Sequence, residues 1–207
     1  MFRNKNNCAD KDAAAVDKNE RKLIAQAKDG DQRAFAEIIR LYQKRLYYVI
    51  IKIVFNHEDA DDVLQETFLK LYENLALFDE RRPLYPWLLT IAMNTAINKK
   101  NWRTRKQENS IDAEDYRELT GDRSTGPEQT AEAHELQDAL QTALSQLSLE
   151  LRSVFVLRIN EELSYKEISA MLGISEGTVM SRLARARQKL RVLLAPYVTN
   201  DVSQVKV

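Results

Sequence analysis

An all-α fold, two small helical domains joined by a flexible acidic linker, is what this sequence predicts, and three observations carry that expectation. Apolar side chains recur at three- and four-residue spacing through most of the chain, the period of an amphipathic helix. The five glycines and four prolines, at 30, 121, 126, 173 and 177 and at 83, 86, 127 and 196, fall almost entirely between those periodic stretches. Residues 107–131 lack apolar periodicity and hold Gly121, Ser124, Gly126 and Pro127, so they read as a linker. The expected order is a disordered tail over 1–20, a first domain over 21–106, the linker over 107–131, a second domain over 132–195 and a tail over 196–207.

In the first domain Leu23 to Lys28 suits a short helix. Gln32 to Val54 suits a long one, with Phe35, Ile38, Ile39, Tyr42, Leu46, Val49, Ile50 and Ile53 on one side. Asn56 or Asp59 can open a third helix, whose stripe of Ala60, Val63, Leu64, Phe68, Leu71 and Leu75 leaves Asp61, Asp62, Gln65, Glu66, Lys70 and Glu73 outward. A loop from Phe78 to Pro86 then precedes a fourth helix carrying Trp87, Leu88, Ile91, Ala92, Thr95 and Ile97. That helix ends in a basic run, with Trp87 placed beside the apolar stripe.

The second domain holds the most telling stretch, Ser164 to Arg191. Ser164 and Glu167 have capping-box spacing, so a helix starts there with Ile168, Met171 and Leu172 on its apolar face. Gly173 tolerates the positive φ of a tight turn, and Ser175 can cap the next helix. In that helix Val179, Leu183, Ala186 and Leu190 face inward and leave Thr178, Ser181, Arg182, Arg185 and Lys189 on the other side. Basic residues on one helix face are by themselves only a solvated surface. Short helix, glycine turn and basic helix in that order are a helix-turn-helix with its recognition helix.

Charge supports the same reading once it is partitioned. The 207 residues carry no formal net charge. Residues 107–135, however, hold nine acidic side chains against Arg117 and Arg123, a net of −7, so the rest of the chain is +7. The basic excess gathers at Lys99, Lys100, Arg103, Arg105 and Lys106, and at Arg182, Arg185, Arg187, Lys189 and Arg191. Such patches are the electrostatic footprint of a nucleic-acid binder.

Other classes find little support. The single cysteine, Cys8, permits no intramolecular disulfide, which suits a reducing compartment. The first thirty residues are too charged for a signal peptide, and Leu46 to Phe55, interrupted by Lys52, is too short to span a bilayer. A cytoplasmic protein without direct membrane insertion is expected. There is no phosphate-binding glycine loop and no zinc-ligand spacing, and His57 and His134 lack a cysteine or serine partner. Asp59 to Asp62 lack the glycine and distal glutamate of a calcium loop. No catalytic residue, metal, cofactor or small-molecule substrate is expected.

Three segments together carry a family resemblance: DADDVLQETFLKLYENL at 59–75, PWLLTIAMNTAIN at 86–98 and LSYKEISAMLGISEGTVMSRLARARQKL at 163–190. They resemble the extracytoplasmic-function sigma factors of the bacterial sigma-70 family. The resemblance implies a dissociable initiation subunit of RNA polymerase, whose first domain reads and opens the −10 promoter element and whose second reads the −35 element. Asp62, Gln65 and Glu66 match the family's contact with core RNA polymerase. In the loop before the fourth helix, Arg81, Arg82 and Tyr85 match the part that captures an unstacked promoter base, with Asn94, Asn98, Lys99 and Arg103 continuing toward −10 DNA. Ser175, Glu176, Thr178, Ser181, Arg182, Arg185 and Lys189 match the −35 contacts. Asn98 stands where the family often has aspartate, and Met180 where it often has a basic residue.

An anti-sigma factor is the further partner that the resemblance implies. It also implies that the linker threads the polymerase cleft, where Glu108, Asp112, Glu114, Asp115 and Glu118 would imitate a transcript's phosphates. The competing readings are a stand-alone helix-turn-helix regulator with a helical sensor or dimerisation domain, which would bind a palindrome without polymerase, and a helical adaptor that binds only protein. Association with core RNA polymerase separates the first from both.

Overall fold

A computed structural model of the chain describes residues 18–108 and 131–198. Eight α-helices make up the described residues, with no strand among them: α1 Lys18–Lys28, α2 Gln32–Val54, α3 His57–Asn74, α4 Leu84–Glu108, α5 Ala131–Ser145, α6 Leu149–Ile159, α7 Tyr165–Leu172 and α8 Glu176–Val198. A single 3₁₀ turn, Leu75–Leu77, follows α3.

The helix ends follow local chemistry. Asp31 accepts from the backbone N–H groups of Arg33 and Ala34 at 2.8 and 3.3 Å and so starts α2. Asn56 does the same for α3 through Asp59 N–H at 2.8 Å. Between them Phe55 closes α2 in the left-handed region, at φ 53°. A non-glycine residue there costs on the order of 1 kcal/mol. Phe55 offsets that by packing into an apolar cluster with Leu144, Leu147 and Leu190, beneath the Arg152 guanidinium at 4.8 Å.

That cluster belongs to the other half of the chain, and the two halves are docked. A core centred on Ile24, Ile38, Leu46, Ile50, Leu71 and Leu88 continues without a break into Val154, Leu157, Ile168, Val179 and Leu183. Helix α2 packs on α5 and α6, and α4 packs on α7. The periodicity of each half gave no sign of this contact.

Three boundaries differ from expectation. Helix α1 begins at Lys18, so Lys18 to Glu20 are part of the fold rather than of a tail ending at 20. Helix α4 begins at Leu84, two residues before the expected loop ends, because Leu84 is buried and Pro86 sits in the first turn, where no intrahelical N–H is needed. Helix α8 runs through Pro196 to Val198. Most of the acidic segment, with Asp112, Glu114, Asp115 and Glu118, lies outside the described residues; Glu108 closes α4.

Candidate nucleic-acid interface

The helix-turn-helix is built as its residues dictate. Ser164 N–H donates to the Glu167 carboxylate at 2.7 Å, and Glu167 N–H donates back to the Ser164 hydroxyl at 3.3 Å. Gly173 turns the chain at φ 64° and ψ 34°. The Ser175 hydroxyl accepts Thr178 N–H at 3.1 Å and bonds the Thr178 hydroxyl at 2.9 Å, opening α8. Val179, Leu183, Ala186 and Leu190 are buried, so one side of α8 is committed to the core.

On the opposite side Glu176, Ser181 and Arg185 are exposed and Thr178 and Arg182 are half-exposed. Ser181 donates to the Thr178 carbonyl at 3.0 Å, one turn back. Lys189 is exposed as well, and its ammonium donates to the Gln146 carbonyl just beyond α5. That bond ties α8 to the end of α5.

In the first half, Asn94 and Asn98 are exposed along α4, one turn apart. Lys99 and Arg103 occupy the neighbouring strip and turn toward α3. Lys99 meets Asp62 at 2.7 Å and Asp59 at 3.9 Å, and Arg103 pairs with the buried Asp59. The bond to Asp62 raises the Lys99 pKa, with the nearby Asp59 and Glu66 adding to it against partial burial. Two groups that sequence placed at separate sites, a polymerase contact and a −10 contact, therefore share one ion-pair network. Glu66 pairs with Lys70 at 2.6 Å, while Gln65 is exposed.

The loop keeps Arg81 and Arg82 exposed. Its turn is held by Asp79, which accepts from Arg81 N–H at 3.1 Å through its side chain and from Arg82 N–H at 3.0 Å through its carbonyl. Tyr85 is placed otherwise than expected. It lies in the first turn of α4, its ring is covered by the Arg45 guanidinium at 3.7 Å and stacks near Tyr42 at 5.9 Å, and its hydroxyl donates to Glu161 at 2.8 Å. In this conformation it offers no open aromatic face, because Arg45 and Tyr42 of α2 cover the ring while Glu161 of the second half takes its hydroxyl. Trp87 packs on Phe78, with ring centroids 5.0 Å apart, as its neighbours indicated.

Glu161 and Arg45 escaped sequence reasoning. Glu161 joins Arg45 at 2.9 Å as well as Tyr85, across 116 residues of chain, and no local pattern predicts such a pairing. Trp102 had a readable signal: it is an exposed aromatic within the basic run NKKNWRTRK, the interleaving that suits stacking on nucleic acid.

The described residues thus form an all-helical protein with a helix-turn-helix and a second helix, 80 or so residues upstream, that ends in a basic run. The sigma-70 region 2 model matches residues 38–115, and the sigma-70 region 4 model matches residues 137–190. The chain is 35% identical over 179 residues to the ECF RNA polymerase sigma factor SigW of Bacillus subtilis, covering 83% of this chain and 94% of that one. It is 34% identical over 182 residues to the RNA polymerase sigma-H factor of Pseudomonas aeruginosa, covering 86% and 94%. Among solved structures, the sigma factor RpoE of Bartonella quintana in complex with the anti-sigma factor NepR aligns with a TM-score of 0.62 at 28% identity, covering 78% of this chain and 96% of that one. CnrH in complex with the cytosolic domain of CnrY aligns with a TM-score of 0.58 at 28% identity, covering 86% and 98%.

The chain belongs to the ECF sigma factors of the sigma-70 family, which direct RNA polymerase in transcription initiation.

Proposed function

We propose that the first half of this chain binds core RNA polymerase and −10 promoter DNA, and that α8 reads the −35 element. The observation that carries this is the division of α8. Its buried side fixes the helix on the core, while Thr178, Ser181, Arg182 and Arg185 stand on the side a major groove would meet. Arg182 and Arg185 are the base readers, Ser175, Glu176 and Thr178 hold the helix start against the backbone, and Lys189 supports α8 from the side. Asn94 and Asn98 face −10 DNA directly. Lys99 and Arg103 reach phosphate only by exchanging Asp62 and Asp59 for it, so polymerase contact at Asp62 and DNA contact at Lys99 favour one another.

Asp62, Gln65 and Glu66 form the polymerase contact, and Arg81 and Arg82 flank a captured base. The chain performs no chemistry of its own and acts in the cytoplasm; no described helix is long and apolar enough to cross a membrane. An anti-sigma protein is its silencing partner, as in the complex of the RpoE relative with NepR.

The test is in vitro transcription. Core RNA polymerase supplied with the purified chain should retain it and yield transcripts from discrete start sites on genomic fragments. Asp62→Asn with Glu66→Gln should weaken retention while thermal unfolding shifts little, since both ion pairs are exposed and worth at most about 1 kcal/mol each. A chain that binds its own palindromic site without polymerase would refute the reading.

A further inference from the structure

The loop that carries Arg81 and Arg82 is held at both ends by one helix. At its start the Lys28 ammonium, in the last turn of α1, donates to the Phe78 carbonyl at 2.6 Å, where the 3₁₀ turn finishes. At its end the Glu20 carboxylate, in the first turn of α1, accepts the backbone N–H of Leu84, the first residue of α4, at 3.1 Å. The same carboxylate oxygen accepts the Tyr42 hydroxyl at 2.7 Å, and Tyr42 stacks beside Tyr85. Burial, and then this bond to Glu20, push the Tyr42 phenol well above its ordinary pKa, so it remains a donor.

Helix α1 is itself anchored, because Ile24, midway between the two contacts, is fully buried in the core. Phe78 and Leu84 are buried as well, whereas Asp79 to Pro83 are exposed. The result is a short exposed bridge between two immobile ends. Its span is set by the distance along α1 between Glu20 and Lys28, about 12 Å at the rise of a helix. A loop ordered in advance loses less conformational freedom when a ligand enters it, which is how preorganisation raises affinity. The region 2 match begins at residue 38, so it assigns α1 nothing.

We propose that α1 is a splint for the −10 loop, with Glu20 and Lys28 as positioning residues that hold residues 79–83 open for an extruded promoter base. The proposal rests on the reading of that loop as a DNA contact. Neither residue touches DNA; each acts through the backbone group it binds. A carboxylate so near a phosphate-binding loop would repel DNA were it exposed. Its engagement with Leu84 N–H and Tyr42 keeps it turned inward, where it also suits the positive end of α4.

The experiment uses holoenzyme assembled from core RNA polymerase and the full chain. Three affinities are measured: for core enzyme, for duplex −35 DNA, and for a single-stranded oligonucleotide carrying the −10 sequence of a promoter the holoenzyme selects from a random library. Glu20→Ala should weaken single-strand binding about tenfold, the scale of one hydrogen bond to a charged group, and Lys28→Met should act in the same direction. Core and −35 affinities should stay at wild-type level. Glu20→Gln keeps a carbonyl oxygen for Leu84 N–H and should restore most of the loss. Wild-type single-strand affinity in Glu20→Ala would overturn the splint, and so would a parallel loss of all three affinities, which marks α1 as a general stabiliser. The combined Arg81→Ala, Arg82→Ala variant tests the loop independently of α1. Wild-type single-strand affinity there would overturn the loop's DNA role, and the splint with it. Loss there alongside wild-type behaviour of Glu20→Ala overturns the splint alone.

Discussion

Glu161→Ala should release the second half of the chain from the first. The side chain is only 5% exposed, and it is presented by a turn in which Glu162 sits at φ 55°, a conformation costing a non-glycine residue on the order of 1 kcal/mol. Arg158 holds that turn by donating to the Leu163 carbonyl at 2.8 Å. Removing the carboxylate leaves the half-buried Tyr85 hydroxyl without its acceptor, a loss of about 1.5–3 kcal/mol for a bond to a charged group. Arg45 is 58% exposed, so its ion pair adds only about 0.2–1 kcal/mol. Together they give about 2–4 kcal/mol, at least a ~30-fold shift in the docking equilibrium. Urea unfolding should move to a lower midpoint, and small-angle scattering should report a larger radius of gyration. The sharper assay is a double-mutant cycle with Tyr85→Phe, where the two losses should overlap by about 1–2 kcal/mol because each deletes the same bond. Strictly additive losses, or an unchanged radius in Glu161→Ala, would refute the clamp. Release would free the Tyr85 hydroxyl, whereas its ring is covered by Arg45 and Tyr42 of α2.

Tyr42 and Tyr85 both have pKa values raised first by burial and then by hydrogen bonds to Glu20 and Glu161. Their stabilisation is therefore complete below the ordinary phenol value near 10 and is lost as pH rises beyond it, so two phenols should resist ionisation in the native protein and ionise once urea unfolds it. Absorbance titration showing the same phenol count near pH 10 in both states would contradict this. Gly177→Ala should raise stability by about 0.5–1 kcal/mol, since an added Cβ would meet only the Ser175 hydroxyl at 3.8 Å, whereas Gly173→Ala should lower it by a similar amount because φ there is +64°. Thermal unfolding of the two variants should move in opposite directions, and a shared direction would undo the reasoning. Arg182→Ala should cost about 1–3 kcal/mol of −35 affinity and relax preference at one base pair. Lys189→Ala should weaken binding about equally on all sequences and loosen α5 from α8; a sequence-selective loss for Lys189 would place it in the groove instead.

Local chemistry determined much of this protein from sequence alone. The helix-turn-helix was legible because capping, the glycine turn and helical periodicity all act within four residues, and the side of α8 that carries Arg182 and Arg185 followed from the burial of Val179, Leu183 and Ala186 opposite. The all-α class and the exposed positions of Asp62, Gln65 and Glu66 followed in the same way. Contacts between remote segments were decided only by tertiary structure. Nothing near Tyr85 in the chain signals that Glu161, 76 residues away, takes its hydroxyl, or that Lys99 is held by Asp62 and Asp59. Nor does the composition of residues 18–28 reveal that Glu20 and Lys28 close on the backbone at Leu84 and Phe78. Periodicity says which face of a helix is buried, but many faces are apolar enough to accept it. Which one does so depends on the fit of all the helices at once, and that three-dimensional choice set the environment of Tyr85, Lys99 and Arg103 on α4.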